Sequence, residues 1–148
     1  LHFGNKVWNK CVLDTLEPIG RCQGLKSLTF NAQKIADERI EPLAQLTQLE
    51  RLEFPAHQFT IRQVAWLKAR LPETIRSQVL GGHWKINQPL EHKGKNLDTL
   101  IVGKGKTRHL DSKKDKAVLD RHIDEFNASH RWFREHPEAG PDEYDRGV

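Results

Sequence analysis

Apolar residues recur along the first half of the chain with a fixed spacing. Leu16-Glu17-Pro18-Ile19 returns 24 residues later as Ile40-Glu41-Pro42-Leu43. The same step carries Leu25, Leu28 and Phe30 onto Leu49, Leu52 and Phe54. It also carries Ile35 onto Phe59, and Ile40 and Leu43 onto Val64 and Leu67. Upstream, Leu1-His2-Phe3 echoes Leu28-Thr29-Phe30 if the first loop holds three extra residues. Leu28-x-Phe30 and Leu52-x-Phe54 alternate as a short strand with one buried face does. Apolar residues at 40, 43, 46 and 49 step by three, which suits a 3₁₀ or helical turn with one inward stripe. Pro42 has no N–H to donate, so it fits the first turn of such a segment. Each unit reads as strand, loop and helical turn. One unit cannot bury its own apolar face, whereas stacked units share a core.

The third unit departs from the first two. Thr60-Ile61-Arg62-Gln63 matches a capping box, and Val64, Leu67 and Leu71 follow at helical spacing until Pro72. This predicts an α-helix of about three turns. Beyond Pro72 the period is lost. Val79-Leu80 predicts a further strand that Gly81-Gly82 breaks. Residues 83–86 alternate, residues 96–102 carry the strongest strand signal, and the polar stretch between them predicts a β-hairpin over 83–102. Asp111 or Ser112 can cap a helix over 112–135. Its inward face would be Leu119, Ile123, Phe126, His130 and Phe133, and His136-Pro137 would end it. Residues 137–148 are expected to form a disordered acidic tail.

Two stretches carry a family resemblance. Leu25-x-x-Leu28-x-Phe30-x-x-Gln33-x-Ile35 and Leu49-x-x-Leu52-x-Phe54-x-x-His57-x-Phe59 resemble the leucine-rich repeat, Leu-x-x-Leu-x-Leu-x-x-Asn-x-Leu. Residues 40–49 are similar to the convex side of short bacterial repeats of the internalin type. The resemblance covers residues 1–80, in about three units. At the rung where the family places an Asn ladder, this chain has Asn9, Gln33 and His57, so turns of a different shape are expected. The resemblance implies an α/β fold: a short leucine-rich-repeat solenoid of parallel strands and helical turns. Residues 81–136, a β-hairpin and an α-helix, would then form its C-terminal cap. It also implies a bacterial context and a protein ligand on the concave sheet. By alternation, the outward residues of that sheet are His2, Ser27, Thr29, Asn31, Arg51, Glu53 and Gln78. They are polar and mixed in charge, which suits a partly wet interface. Outward strand residues are, however, polar in any half-buried sheet.

Composition narrows the classes. At 148 residues, one core or at most two small domains are expected, and 36% hydrophobic residues is lean for either. No apolar run approaches about 18 residues, so no membrane span is expected. The start, Leu1-His2-Phe3-Gly4-Asn5-Lys6, shows no signal pattern, which sets the expectation of a cytoplasmic protein. The chain has no Met, which raises the expectation that residues precede Leu1. Cys11 and Cys22 align with Ile35 and Leu46 and are expected to be small core hydrophobes. Two cysteines make no disulfide framework.

The net charge of +4 is uneven. Residues 92–116 carry 8 basic and 3 acidic side chains, and residues 117–148 carry 4 and 8. The basic set is Lys93, Lys95, Lys104, Lys106, Arg108, Lys113, Lys114 and Lys116. Clustered lysines near Gly loops can contact phosphates, so an alternative function is binding of nucleic acid or another polyanion. Against it, no aromatic residue lies between Trp84 and Phe126 to stack a base. A solvated set of loops is the plainer reading. Gly103-Lys104-Gly105-Lys106-Thr107 ends like a phosphate-binding loop, but Leu100 stands where that motif needs its first Gly. Eight histidines are present without Cys-x-x-Cys or His-Glu-x-x-His spacing, so no metal or other cofactor is expected. With no Gly-x-Ser-x-Gly elbow, no catalytic residue is assigned and a non-enzymatic role is expected.

Overall fold

The 24-residue spacing becomes strand register. A computed structural model describes residues 1–3, 12–32 and 34–144. Along the chain these form β1 (His2–Phe3), β2 (Val12–Leu13), α1 (Glu17–Gly20), β3 (Ser27–Phe30), β4 (Lys34–Ile35) and β5 (Arg51–Glu53). They continue with α2 (Ile61–Arg70), β6 (His83–His92), β7 (Lys95–Ile101), β8 (Arg108–Leu110) and α3 (Lys116–Glu135). In a parallel sheet of order β1-β3-β5, Ser27, Leu28 and Thr29 pair with Arg51, Leu52 and Glu53. His2 and Phe3 pair with Thr29 and Phe30, three residues beyond the 24-residue step. A separate parallel pair joins β2 to β4.

Alternation decides what these strands bury. Leu28, Phe30, Leu52 and Phe54 point inward, and Thr29 and Arg51 point out. Phe30 stacks on Phe54 at 5.5 Å, and Phe54 meets Phe59 edge-on at 5.3 Å, so rings from successive units pack on one another. Behind the strands, a 3₁₀ turn at Glu41–Gln45 carries Pro42 near its start and buries Pro42 and Leu43. It lies close against α1. A Cβ on Gly20 would sit 2.6 Å from the Pro42 carbonyl oxygen, so only glycine fits there.

The capping box starts α2. The Gln63 N–H donates to Thr60 Oγ1 at 3.1 Å, and the Thr60 N–H donates to Gln63 Oε1 at 2.9 Å. The Gln63 side-chain amide then donates to the Glu38 carbonyl at 2.8 Å, which ties α2 to the turn after β4. Val64, Ala65, Trp66 and Leu67 are buried beneath it.

The second half departs from expectation at several points. Val79-Leu80 forms a 3₁₀ turn, Val79–Gly81, and not a strand. Its start is held by Glu53, whose carboxylate accepts from Ser77 Oγ and from the N–H groups of Gln78 and Val79. β6 and β7 pair antiparallel and close through Lys93-Gly94, both with positive φ as a two-residue hairpin turn requires. Strand pairing therefore runs through the polar stretch that read as the turn. β8 adds to β7, with Thr99 opposite Leu110, so the hairpin is part of a three-stranded antiparallel sheet.

α3 starts later than expected because Asp111 first builds a turn. Its carboxylate accepts from the N–H groups of Asn96, Lys113 and Lys114. The buried face of α3 is His122, Phe126, Ser129 and Phe133, while Leu119, Ile123 and His130 are half-buried. The stripe is rotated toward two polar residues because both are satisfied. The Ser129 hydroxyl donates to the Glu125 carbonyl, and His122 Nε2 donates to the Gly82 carbonyl at 2.8 Å.

The expected disordered tail is packed as far as it is described. The Arg70 guanidinium donates to the carbonyls of Phe133, His136 and Ala139 at 2.8–2.9 Å. The Trp66 indole donates to the Ala139 carbonyl at 2.9 Å. Ala139 and Pro141 are buried, and Tyr144 lies 5.4 Å from the Trp132 ring. Residues 145–148 lie outside the described residues.

The solenoid expectation is overturned. A leucine-rich-repeat solenoid would run one parallel sheet along the stack and end in a hairpin-and-helix cap. The described residues instead form a mixed α/β fold with three small sheets: parallel ones of three and two strands, and an antiparallel one of three. One core cluster links Leu16 and Leu28 to Val102, Phe126, Phe133 and Ala139. The periodic stretch is too short to form an extended array, and α2 packs on α3 where a further repeat would stack. Cys22 is also corrected: it is exposed, past the end of α1 in the turn that leads to β3, and not a core residue. Cys11, Asn9 and Gln33 lie outside the described residues.

Candidate functional site

Two concave regions bring functional side chains together. The first is a groove of about 850 Å³ between the outward face of the parallel sheet and the antiparallel sheet. His2, Thr29, Asn31, Arg51, Glu53 and Gln78 line one side, and Trp84, Ile86 and Leu100 line the other. Six of the seven residues expected on the outward face therefore meet in one place. Ser27, at the start of β3, is exposed but does not line the groove. The apolar wall was not foreseen. Alternation puts Trp84 and Ile86 on one face, and register puts Trp84 opposite Leu100. Nothing local says that this face looks onto the other sheet.

The roles of the polar residues differ. Glu53 is committed to the 3₁₀ turn at Val79–Gly81, so its carboxylate is structural before it is available to a ligand. Arg51 pairs in parallel register with Arg76, just outside the named strands. The two arginines share a depression with Glu53, Ser77 and Gln78 beside the groove, the Glu53 carboxylate being engaged by the 3₁₀ turn. Both are exposed, and neither forms an ion pair among the described residues.

The basic segment is not one patch. Lys95 pairs with Asp115 at 2.6 Å, Lys116 with Asp120 at 2.6 Å, and Lys104 with Glu38 at 2.8 Å. The Lys114 ammonium donates to the Gly94 carbonyl. Asp115 is held low by its hydrogen bond to Lys95, Glu38 by its hydrogen bond to Lys104, and Asp111 by the three N–H groups it accepts. Asp98 is held low by the Ser112 hydroxyl. Lys93, Lys95, Lys113, Lys114 and Lys116 therefore belong to the hairpin tip and the α3 approach. Lys104, Lys106 and Arg108 instead line a second cleft of about 740 Å³, together with Arg121 and His122 of α3. Arg121 was not foreseen, because it lies just past the basic run, in the acidic stretch that follows.

Gly103-Lys104-Gly105-Lys106-Thr107 is not a phosphate-cradling backbone. The Gly103 N–H donates to the Ala56 carbonyl and the Gly105 N–H to the His57 carbonyl, so those two donors are spent inside the fold. Strand β8 follows where the motif would need a helix N-terminus. Among the described residues, no three His, Cys, Asp or Glu side chains come together where they could share a metal ion. Among the same residues, no helix is long and apolar enough to cross a membrane. Comparison with protein families, with curated proteins and with solved structures finds no match.

Proposed function

We propose that the protein is a binding module that takes an acidic, partly apolar segment of a partner protein in the groove between its two three-stranded sheets. One observation carries the reading. An apolar wall of Trp84, Ile86 and Leu100 faces a polar sheet whose edge presents Arg51 beside Arg76. Trp and Arg are the residues that most often dominate binding energy at interfaces. Two guanidinium groups that form no ion pair among the described residues favour a ligand that brings its own carboxylates. The apolar wall favours a neighbouring aliphatic or aromatic side chain. The groove belongs to the fold observed and needs no solenoid curvature.

Selection from a displayed library of random peptides tests this. Binders enriched on the wild-type protein should carry an acidic residue near an apolar one. Arg51→Glu should weaken them by about tenfold or more, which corresponds to about 1.4 kcal/mol. Trp84→Ala should weaken them similarly. Enriched peptides indifferent to both substitutions would place binding elsewhere. Glu53 is a poor test position, since its loss frees three donors at the 3₁₀ turn whether or not anything binds.

A further inference from the structure

We propose that the cleft between the 103–107 loop, β8 and α3 is a site for a phosphate monoester carried on a flat apolar body, a ligand of mononucleotide size. Three cations from three different elements line it: Lys106 from the loop, Arg108 from β8 and Arg121 from α3. None of them forms an ion pair among the described residues, unlike Lys104, which is engaged by Glu38. Convergent cations without carboxylate partners suit an added anion. Two planar guanidinium groups suit a phosphate, whose oxygens accept in pairs.

The rest of the lining limits the ligand. Ile61, Ile101 and Val118 also face the cleft, so part of its wall is aliphatic and can cover a flat apolar body. The volume, about 740 Å³, is in the range of small-molecule sites. Asp124 and Glu125 line the same cleft one turn along α3 from Arg121. A polyanion laid through it would run onto carboxylates, whereas one compact phosphate held at the cationic end would not. The other five lysines of the basic run do not extend the track, because they lie at the hairpin tip and at or just before the start of α3, and three of them are already engaged. The loop itself is pinned by its two glycine N–H groups, so the cations are presented on an anchored segment.

Amide chemical shifts of the intact chain, titrated with adenosine 5′-monophosphate, test the site. Adenosine, inorganic phosphate and a single-stranded oligonucleotide serve as separate arms. The proposal expects saturable shifts confined to residues around Ile61, to 101–108 and to 118–128, with adenosine bound at least about tenfold more weakly. It also expects that Arg108→Gln with Lys106→Gln weakens the monophosphate by about tenfold or more while shifts elsewhere stay in place. Arg121→Gln should act in the same direction. Absence of saturation with the monophosphate overturns the proposal, as does equal binding of adenosine. Inorganic phosphate as tight as the monophosphate overturns the role of the aliphatic wall. Tighter binding of the oligonucleotide with a steep salt dependence replaces the compact site with a polyanion surface. None of these residues lines the sheet groove, so failure here leaves the peptide reading intact and the reverse also holds.

Discussion

Burial pushes the His122 imidazole below its ordinary value, because desolvation penalises the charged ring. His130 shifts the same way for the same reason, with Lys68 and Arg134 adding repulsion. In the unfolded chain these rings take up protons near pH 6.5, and in the folded chain they do so only at lower pH. Between those values the unfolded state holds more protons, so stability rises with pH there and falls as pH drops. The carboxyls that are held low lose their contribution only further down, below their ordinary range. Thermal melting should therefore begin to decline as pH falls through about 6.5, and His122→Gln should flatten that part of the profile. A melting temperature constant from pH 7.5 to 5 would contradict this. Gly82 is fixed by the same contact. It sits at φ 83°, and a Cβ there would lie 2.8 Å from the Phe126 ring. Gly82→Ala should cost about 2–3 kcal/mol in urea unfolding, from backbone strain and overpacking together.

Between elements, Arg70 and Trp66 carry the hydrogen bonds that join α2 to the end of α3 and the segment after it. Arg70 satisfies three carbonyls, those of Phe133, His136 and Ala139, at and beyond the end of α3. Truncation removes this donor from all three, while the Ala139 carbonyl keeps the Trp66 indole and the His136 carbonyl keeps the Ala139 N–H, so Arg70→Met should destabilise by about 1–3 kcal/mol. Amide exchange in residues 136–144 should rise ahead of the rest. The start of α2 depends on Thr60 in a local way, and Thr60→Ala should cost about 1 kcal/mol. Only one of these was legible in advance. The capping box is a four-residue pattern, whereas Arg70 reads as an ordinary last-turn cation and its acceptors lie more than 60 residues away. The shape of the second half was hidden for the same reason. A three-residue strand such as β8 has almost no periodicity to detect, and its partner β7 supplies its stability.

Over the whole molecule, the aromatic face of α3 and the repeat-like leucines share one core. Cleavage in the 72–78 segment should therefore not release 83–136 as a folded piece, and unfolding should follow one transition by fluorescence and by circular dichroism. A stable fragment of that span after limited proteolysis would show a second domain.

What the chain specifies locally is clear in its residues. The 24-residue spacing sets the register of β3 on β5, alternation sets which side chains face outward, and Thr60 with Gln63 sets the start of α2. Such features depend on neighbours a few residues apart or on one repeated pattern, so they are readable from a single sequence. The tertiary structure alone decided that the periodic segment becomes one side of a shared core and not a solenoid. It alone set Trp84, Ile86 and Leu100 opposite the outward polar face, and it brought Arg121 to Lys106 and Arg108. Those outcomes depend on how α2 packs on α3 and how the antiparallel sheet turns toward the parallel one. Long-range burial fixes both, and no short pattern encodes it.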